Sequence, residues 1–303
     1  MKPVIIKPAN REEWLKARED GIGASEVASV IGCSPWETPF SLWLRKTGQV
    51  PHIEENEAMR MGHLLEPVVV QLWEEKTGWK AVKASAKDII YQDPEHPWRK
   101  VTPDRIAYEV GENGKRRKVL LEIKTTAIDI DPDDLPTNYL CQCHYQMHVT
   151  GIHICYLCWL VNGRYYGHAR LEYDKEFAEW LVENVDRFYN DCIVGGNEPE
   201  LISAQDFNIK GSKPDTTITA DKRVIEQLLS LRKLNKELSE KEKAAEDLKE
   251  RIKMFIGENE ALEHDGQVVA TWKSGAKSRT LRLKDKLIDE LIEKGEYQWQ
   301  QTQ

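Results

Sequence analysis

Between Asp104 and Lys124 the chain alternates apolar and polar residues on either side of a Gly-bearing break, and that pattern predicts a β-hairpin. Ile106 to Val110 reads as the outgoing strand, Gly111 to Gly114 as the turn, and Val119 to Lys124 as the return. Successive side chains of a strand alternate faces, so Glu122 and Lys124 point the same way while Ile123 points into the core. The hairpin sets Asp104, which follows Thr102 and Pro103, alongside them. One two-stranded unit thus gathers two carboxylates and an ammonium.

That set suits phosphodiester hydrolysis, which needs a nucleophilic water, a stabilised leaving oxyanion and neutralised phosphoryl oxygens. Mg²⁺ serves all three needs, and it takes hard oxygen ligands with few protein groups among them. Asp104 and Glu122 are suitable ligands, and the Ile123 carbonyl between Glu122 and Lys124 is placed as a third. Lys124 holds the attacking water or screens developing charge, a role that fits a compact ammonium. Glu66, a carboxylate in the otherwise apolar helical stretch Met61 to Pro67, is a fourth candidate ligand. Turned inward it is costly unless a metal or a base meets it; the other reading puts it on the solvated face. By itself the spacing also fits a surface hairpin with an ion pair.

With 303 residues, 40% of them hydrophobic, the chain can build one large α/β domain and an appendage. A net charge of −8 argues against a generally basic coat, so any nucleic acid must be held by a local basic lining and metal ions. No apolar N-terminal leader is visible, and the longest apolar stretch, residues 152–161, is too short to span a bilayer. A cytoplasmic protein with six reduced cysteines and no membrane contact is expected.

Helices flanking a central mixed sheet are the expected plan of residues 1–205. Helices are predicted over Arg11 to Ala17, Ser25 to Gly32, Pro39 to Thr47, Asn56 to Thr77 (with Pro67 inside), Asn138 to Val149 and Lys175 to Asn190. Strands are predicted near Ala81 to Val82, over Asp88 to Tyr91, over residues 152–160 as a buried strand, and over residues 164–172. Residues 206–220 read as a linker. Residues 221–303 read as a charged helix from Asp221 to Ile256, a hairpin about His264-Asp265-Gly266 and a helix from Lys284 to Lys294. The charged helix repeats apolar residues near heptad spacing at Leu231, Leu234, Leu238, Ala245, Leu248, Ile252 and Phe255, with Lys241 interrupting. That seam needs a partner: the core, the hairpin or another subunit.

Four segments, taken in order with the hairpin, carry a family resemblance. They are Trp14 to Arg18, Gly21 to Val27, Gly62 to Pro67, and Tyr139-Leu140-Cys141-Gln142-Cys143-His144-Tyr145-Gln146. Over residues 11–190 the chain resembles the YqaJ-type viral recombinases, phage exonucleases related to the phage lambda exonuclease within the PD-(D/E)XK superfamily. The resemblance implies a restriction-endonuclease-like core in which Asp104, Glu122 and Lys124 are catalytic and Glu66 is a further carboxylate at the metal. It implies that Arg18 and Ser25 bind a terminal 5′ phosphate, with Gln142, and Gln146 one turn on, lining the same site. Thr102 stands where the lambda enzyme has a Ser, His144 where a second Gln is expected, and one extra residue separates Arg18 from Ser25. Ser25 also suits an ordinary helix N-cap, and Gln142 and Gln146 an ordinary polar helix face.

The implied activity is Mg²⁺-dependent 5′-to-3′ digestion of linear duplex DNA ends, leaving 3′ overhangs for phage-type recombination, with Mn²⁺ able to substitute. A trimeric or tetrameric ring, a single-strand annealing partner and a phage or prophage origin in a bacterial host are implied as well. The alternatives are an endonuclease on the same core and a non-catalytic module that binds DNA ends. Cys141, Cys143, Cys155 and Cys158 invite a zinc or iron–sulfur reading, but their placement on a helix and a strand spreads them over different faces, so buried thiols are expected instead. Trp36, near the phosphate pocket, can stack a base at a DNA end, although a core tryptophan is the favoured reading.

Overall fold

The computed structural model describes residues 2–51, 56–82, 89–111, 114–275 and 278–293. The first of its two units, Met1–Lys213, runs β1 (Val4–Ile6), α1 (Arg11–Glu19), β2 (Ile22–Gly23), α2 (Val27–Val30), α3 (Pro39–Lys46), α4 (Glu57–Thr77), β3 (Lys80–Ala81), β4 (Ile90–Gln92), β5 (Arg99–Val101), β6 (Arg105–Val110), β7 (Arg116–Thr126), α5 (Thr137–Thr150), β8 (Ile154–Val161), β9 (Tyr165–Glu172), α6 (Lys175–Arg187) and α7 (Ala204–Lys210). The architecture is mixed α/β, with mixed sheets flanked by helices. Residues 88 and 112–113, which fall within the expected strand at Asp88 and the expected hairpin turn, lie outside the described residues.

The larger sheet has the order β3-β6-β7-β8-β9. β6 and β7 form the expected antiparallel hairpin, with Arg105 opposite Leu121 and Val110 opposite Arg116. β7 and β8 are parallel and joined through α5, the crossover that a parallel pair demands. β8 is buried along its whole length, as its unbroken apolar run requires of a strand covered on both faces. Along β7, Val119 and Leu121 pack with Val69 and Trp73 of α4. Leu120 points the other way, toward Cys143 and Met147 of α5. α4 starts at the Asn56 cap, which accepts from the Met59 amide at 2.9 Å, and continues through Pro67 to the left-handed Gly78.

A second, smaller sheet, in the order β1-β4-β5-β2, accompanies the expected mixed sheet. Its strands have only two or three residues, too few to show an alternating pattern in sequence. β2 pairs parallel with β5, placing the Gly21 to Ser25 segment beside the strand that leads to Asp104. α5 lies between the two sheets, with Cys141, Tyr145 and Val149 in the core of the smaller one and Cys143 and Met147 against the larger.

α7 carries the first unit past the expected end at residue 205, because Asp206 is buried and accepts from Thr38 Oγ1 and from the Ile202 and Ser203 amides. The second unit, Pro214–Gln303, contains α8 (Lys222–Ile256), β10 (Ala261–His264), β11 (Gln267–Ser274), β12 (Arg279–Leu283) and α9 (Asp285–Glu293). Asp221 caps α8 by accepting from the Val224 amide at 2.8 Å. The three strands form an antiparallel meander in which Asp265 and Gly266 both have positive φ, 49° and 78°, as a tight hairpin turn requires. β12 was not legible in the sequence. Among the described residues no helix is long and apolar enough to cross a membrane.

Candidate active site

Glu122 and Lys124 share the face of β7 that looks at α5, and Glu122 is only 2% exposed. A buried carboxylate needs partners, and three side chains supply them. Gln142 Nε2 donates to Oε1 at 2.6 Å, Gln146 Nε2 donates to Oε2 at 2.7 Å, and Lys124 Nζ lies 2.7 Å from Oε1. The Gln142 amide is used at both ends, because its Oε1 accepts from Lys124 Nζ at 2.8 Å. Gln142 and Gln146 stand four residues apart on α5 and so project from one helix face onto the same carboxylate. Burial works to lower the Lys124 pKa, but the Glu122 and Asp104 carboxylates outweigh it and hold the ammonium above its ordinary value.

Asp104 closes the hairpin end, where its Oδ2 accepts from the Ile123 amide at 2.7 Å. The N–H and C=O of one strand residue point to the same side, so the Ile123 carbonyl also faces the side that Asp104 occupies, beyond the last β6 pairing at Arg105. Burial, and then the Glu122 charge, push the Asp104 carboxyl well above the usual range; Lys124 and the Ile123 amide oppose this, while Glu66 adds to it. Glu66 is turned inward, 5% exposed, and is paired with Arg105. Arg105 is one partner of the kind that an inward carboxylate requires.

No group of three or more His, Cys, Asp or Glu among the described residues is already assembled to hold a metal ion. The donor chemistry nevertheless fits Mg²⁺, which takes one or two carboxylates and completes its octahedron with water and phosphate. Asp104, Glu122 and the Ile123 carbonyl supply oxygen only, and besides burial the Asp104 pKa is raised by repulsion from Glu122, which a cation relieves. The four thiols pack as core side chains. Cys141 and Cys143 face different cores from one helix, Cys155 and Cys158 pack on opposite faces of β8, and all four are buried.

A second cluster forms around the turn that follows β2. The Arg18 guanidinium lies over Gly23, where a Cβ would come within 2.7 Å of Arg18 Nη2, so a side chain there would displace the guanidinium. Arg18 also stacks on the Trp14 ring, 4.4 Å from its centroid. Burial holds its pKa below the usual value although Glu26 works to raise it. Ser25 is exposed in a 3-10 turn, Ala24–Glu26, and does not act as the N-cap. Gly23 occupies that position, and its amide donates to Glu26 Oε2 at 2.7 Å. Glu26 is in turn paired with Arg45 at 3.1 Å and Lys46 at 2.9 Å, while Arg45 Nε also reaches Glu37 at 2.9 Å. Lys46 and Arg45 overcome the effect of burial on Glu26 and keep its pKa low.

Glu26, Arg45 and Lys46 were missed in the sequence reading. Glu26, three residues after Gly23, carries a capping signal that was available; the pairing across nineteen or twenty residues has no local signal. Trp36, favoured as a core residue, is instead 74% exposed, one residue before the Glu37 that binds Arg45. Thr102 is half-buried on the segment between β5 and Asp104. Gln146 is fully buried and offers its amide to Glu122 rather than to a surface ligand.

The matching family model, the YqaJ-like viral recombinase domain, covers residues 13–153 and therefore spans Arg18, Glu66, the hairpin and both glutamines. The uncharacterized protein YqaJ of Bacillus subtilis (strain 168) is 30% identical over 298 residues, which is 92% of this chain and 89% of that protein. The chain belongs to the YqaJ-like viral recombinase family. Among solved structures, an alkaline exonuclease from Laribacter hongkongensis is similar at 21% identity and a TM-score of 0.48, over 61% of this chain and 94% of that one. A phage-related exonuclease from Haemophilus somnus 129PT is similar at 13% identity and a TM-score of 0.41, over 58% and 96% of the two chains.

Proposed function

We propose that this YqaJ-family chain is a Mg²⁺-dependent exodeoxyribonuclease that digests one strand of linear duplex DNA from a 5′ end and leaves a 3′ single-stranded overhang for recombination. The observation that carries the reading is the buried Glu122, fixed by Gln142 and Gln146 beside Lys124 and facing Asp104 across the hairpin. A structural ion pair does not call for two dedicated amide donors on a carboxylate that repels its neighbour.

Asp104, Glu122 and the Ile123 carbonyl are the groups that would hold Mg²⁺, with Glu66 joining them if Arg105 releases it. The ion, when bound, neutralises phosphoryl charge and activates water. Glu122 and Asp104 favour the ammonium form of Lys124, which suits it to donate toward the attacking oxygen or a phosphoryl oxygen. Gln142 bridges Glu122 and Lys124 and keeps both at one separation. Arg18 and the exposed Ser25 hydroxyl form the candidate grip for a terminal 5′ phosphate, with Thr102 on the path toward the hairpin and Trp36 presenting an aromatic face to the last base. Digestion of linear but not closed circular duplex by the full chain, abolished by Glu122→Gln and by Lys124→Ala with the far-UV spectrum unchanged, is the expected result. Near-normal turnover by either variant removes the assignment, and equal cleavage of circles makes the enzyme an endonuclease.

A further inference from the structure

Across residues 267–286 the chain carries Lys273, Lys277, Arg279, Arg282, Lys284 and Lys286 against the single acid Asp285, although the whole chain has a net charge of −8. That run covers β11, β12 and the start of α9. The register sorts its side chains onto two faces. Ala270 is paired with Leu283 and Trp272 with Leu281, while Thr271 is paired with Arg282 and Lys273 with Thr280. Paired residues share a face and successive residues alternate, so Ala270, Trp272, Leu281 and Leu283 form one face and Thr271, Lys273, Thr280 and Arg282 the other. Ala270 and Leu283 line an apolar cavity of about 440 Å³ with Ile252 and Phe255 of α8 and Ile288 and Leu291 of α9. The Thr271 face is therefore the outer face of this unit.

Ordinary structural uses of a cation account for Arg279 but not for Lys273 and Arg282. The Arg279 guanidinium carbon lies 3.7 Å from the Trp272 ring centroid, and its nitrogens donate to the carbonyls of Trp272 at 3.0 Å, Gly257 at 2.7 Å and Asn259, so it ties the meander to the end of α8. No carboxylate among the described residues is bonded to Lys273 or Arg282. On α8, by contrast, lysines meet carboxylates one turn away, as in Lys233–Glu237 and Lys236–Glu240. Charges that keep an edge strand from pairing with another chain belong on the edge, yet Lys273 lies on β11, the middle strand of the order β10-β11-β12. Lys286 sits in the first turn of α9, where the helix dipole disfavours a cation.

We infer that this outer face is a sequence-independent contact for the phosphate backbone of duplex DNA, carried by the second unit. Phosphate oxygens take contacts from Lys and Arg and from Thr hydroxyls, and the face offers both kinds in two cross-strand pairs. Lys273 and Arg282 stand diagonal to one another across β11 and β12, which sets them about 7–8 Å apart, so two long side chains can hold neighbouring phosphates of one strand. None of Thr271, Lys273, Thr280 and Arg282 offers an aromatic ring, the platform on which unstacked bases are held, so the backbone of a duplex and not a single strand is what the face fits. A local basic lining is also what a chain of net negative charge needs if it is to hold nucleic acid.

Fluorescence anisotropy of the full-length chain with a dumbbell duplex, closed at both ends and held in chelator over a range of salt, tests this. The dumbbell presents no 5′ phosphate to Arg18 and Ser25 and the chelator withholds Mg²⁺, so the result is independent of the exonuclease reading. Each phosphate contact on duplex DNA adds about 0.9 to the steepness with which log affinity falls against log salt. Lys273→Ala with Arg282→Ala removes two contacts and is expected to lower that slope by about 1.8, alike on dumbbells of unrelated sequence. Lys233→Ala with Lys236→Ala removes the same charge from α8 and is expected to leave the slope unchanged. Thr280→Lys adds a cation to the outer face and is expected to raise the slope by about 0.9. Equal melting temperatures separate lost contact from lost folding, and Thr280→Lys decides the matter if the double alanine variant melts early. No binding by the wild type, an unchanged slope in the folded Lys273 and Arg282 variant or in Thr280→Lys, an equal fall in the α8 variant, or tighter binding of an unstructured single strand than of the dumbbell overturns the inference.

Discussion

Gln146→Met separates positioning from stability at this site. The wild-type amide is fully buried, donates to Glu122 Oε2 at 2.7 Å, and has no hydrogen-bond partner for its own Oε1 among the described residues. The carboxylate dictates that orientation, because a flipped amide would set oxygen against oxygen. Methionine keeps the length and volume but removes both polar atoms. Losing a hydrogen bond to a charged group costs about 1.5–3 kcal/mol, and relieving a buried unpaired oxygen returns about 1–3 kcal/mol, so the net stability change is small. Glu122, however, keeps only Gln142 and Lys124, and loosening a partner of a metal-holding carboxylate costs about 10- to 100-fold in metal affinity or activity. The variant is expected to melt within a few degrees of the wild type and to need far more Mg²⁺ in a titration of linear-duplex digestion. An unchanged rate across the whole Mg²⁺ range, with unchanged stability, would refute the claim that Gln146 sets the working position of Glu122.

Arg18→Ala is expected to slow digestion of 5′-phosphorylated duplex by about 10- to 150-fold, the worth of a charge-assisted contact, and to affect 5′-hydroxyl duplex much less; equal losses on both ends remove Arg18 from the phosphate grip. Acid should weaken the smaller sheet first. Asp93 accepts from the Glu95 and His96 amides and from Arg99, and Asp186 is bound by Arg99 and the Trp98 indole. In both carboxyls these contacts outweigh burial and hold the folded-state pKa below its unfolded value. Their stabilisation is complete above the unfolded value near pH 4 and is lost as pH falls through the folded ones. Denaturant midpoints for the wild type should therefore drop below about pH 4 more steeply than those of Asp93→Asn, and parallel curves would contradict the assignment.

The β6–β7 hairpin was legible because six to eleven residues per strand carry alternation on each side of a turn signal. α4 and α5 were legible as long segments of helical pattern, and β8 as an unbroken apolar run of strand length. The four-stranded sheet was not, because its two- and three-residue strands are specified by what packs on them. Glu66 could be recognised as an inward carboxylate, but its Arg105 partner lies on the hairpin thirty-nine residues away and no spacing rule connects them. The two glutamines were noticed through family resemblance as phosphate-lining residues, and only the register of α5 against β7 turns them onto Glu122. Trp36 was misjudged because composition makes a tryptophan look like core; the loop between α2 and α3 holds it outward.

The most direct measurement is a time course on linear duplex DNA labelled at either the 5′ or the 3′ end, with Mg²⁺ and with chelator, using the full-length chain. The account predicts early release of the 5′ label as a mononucleotide, late release of the 3′ label, and no release from either end in chelator. Early release of the 3′ label, or digestion that persists in chelator, would contradict it.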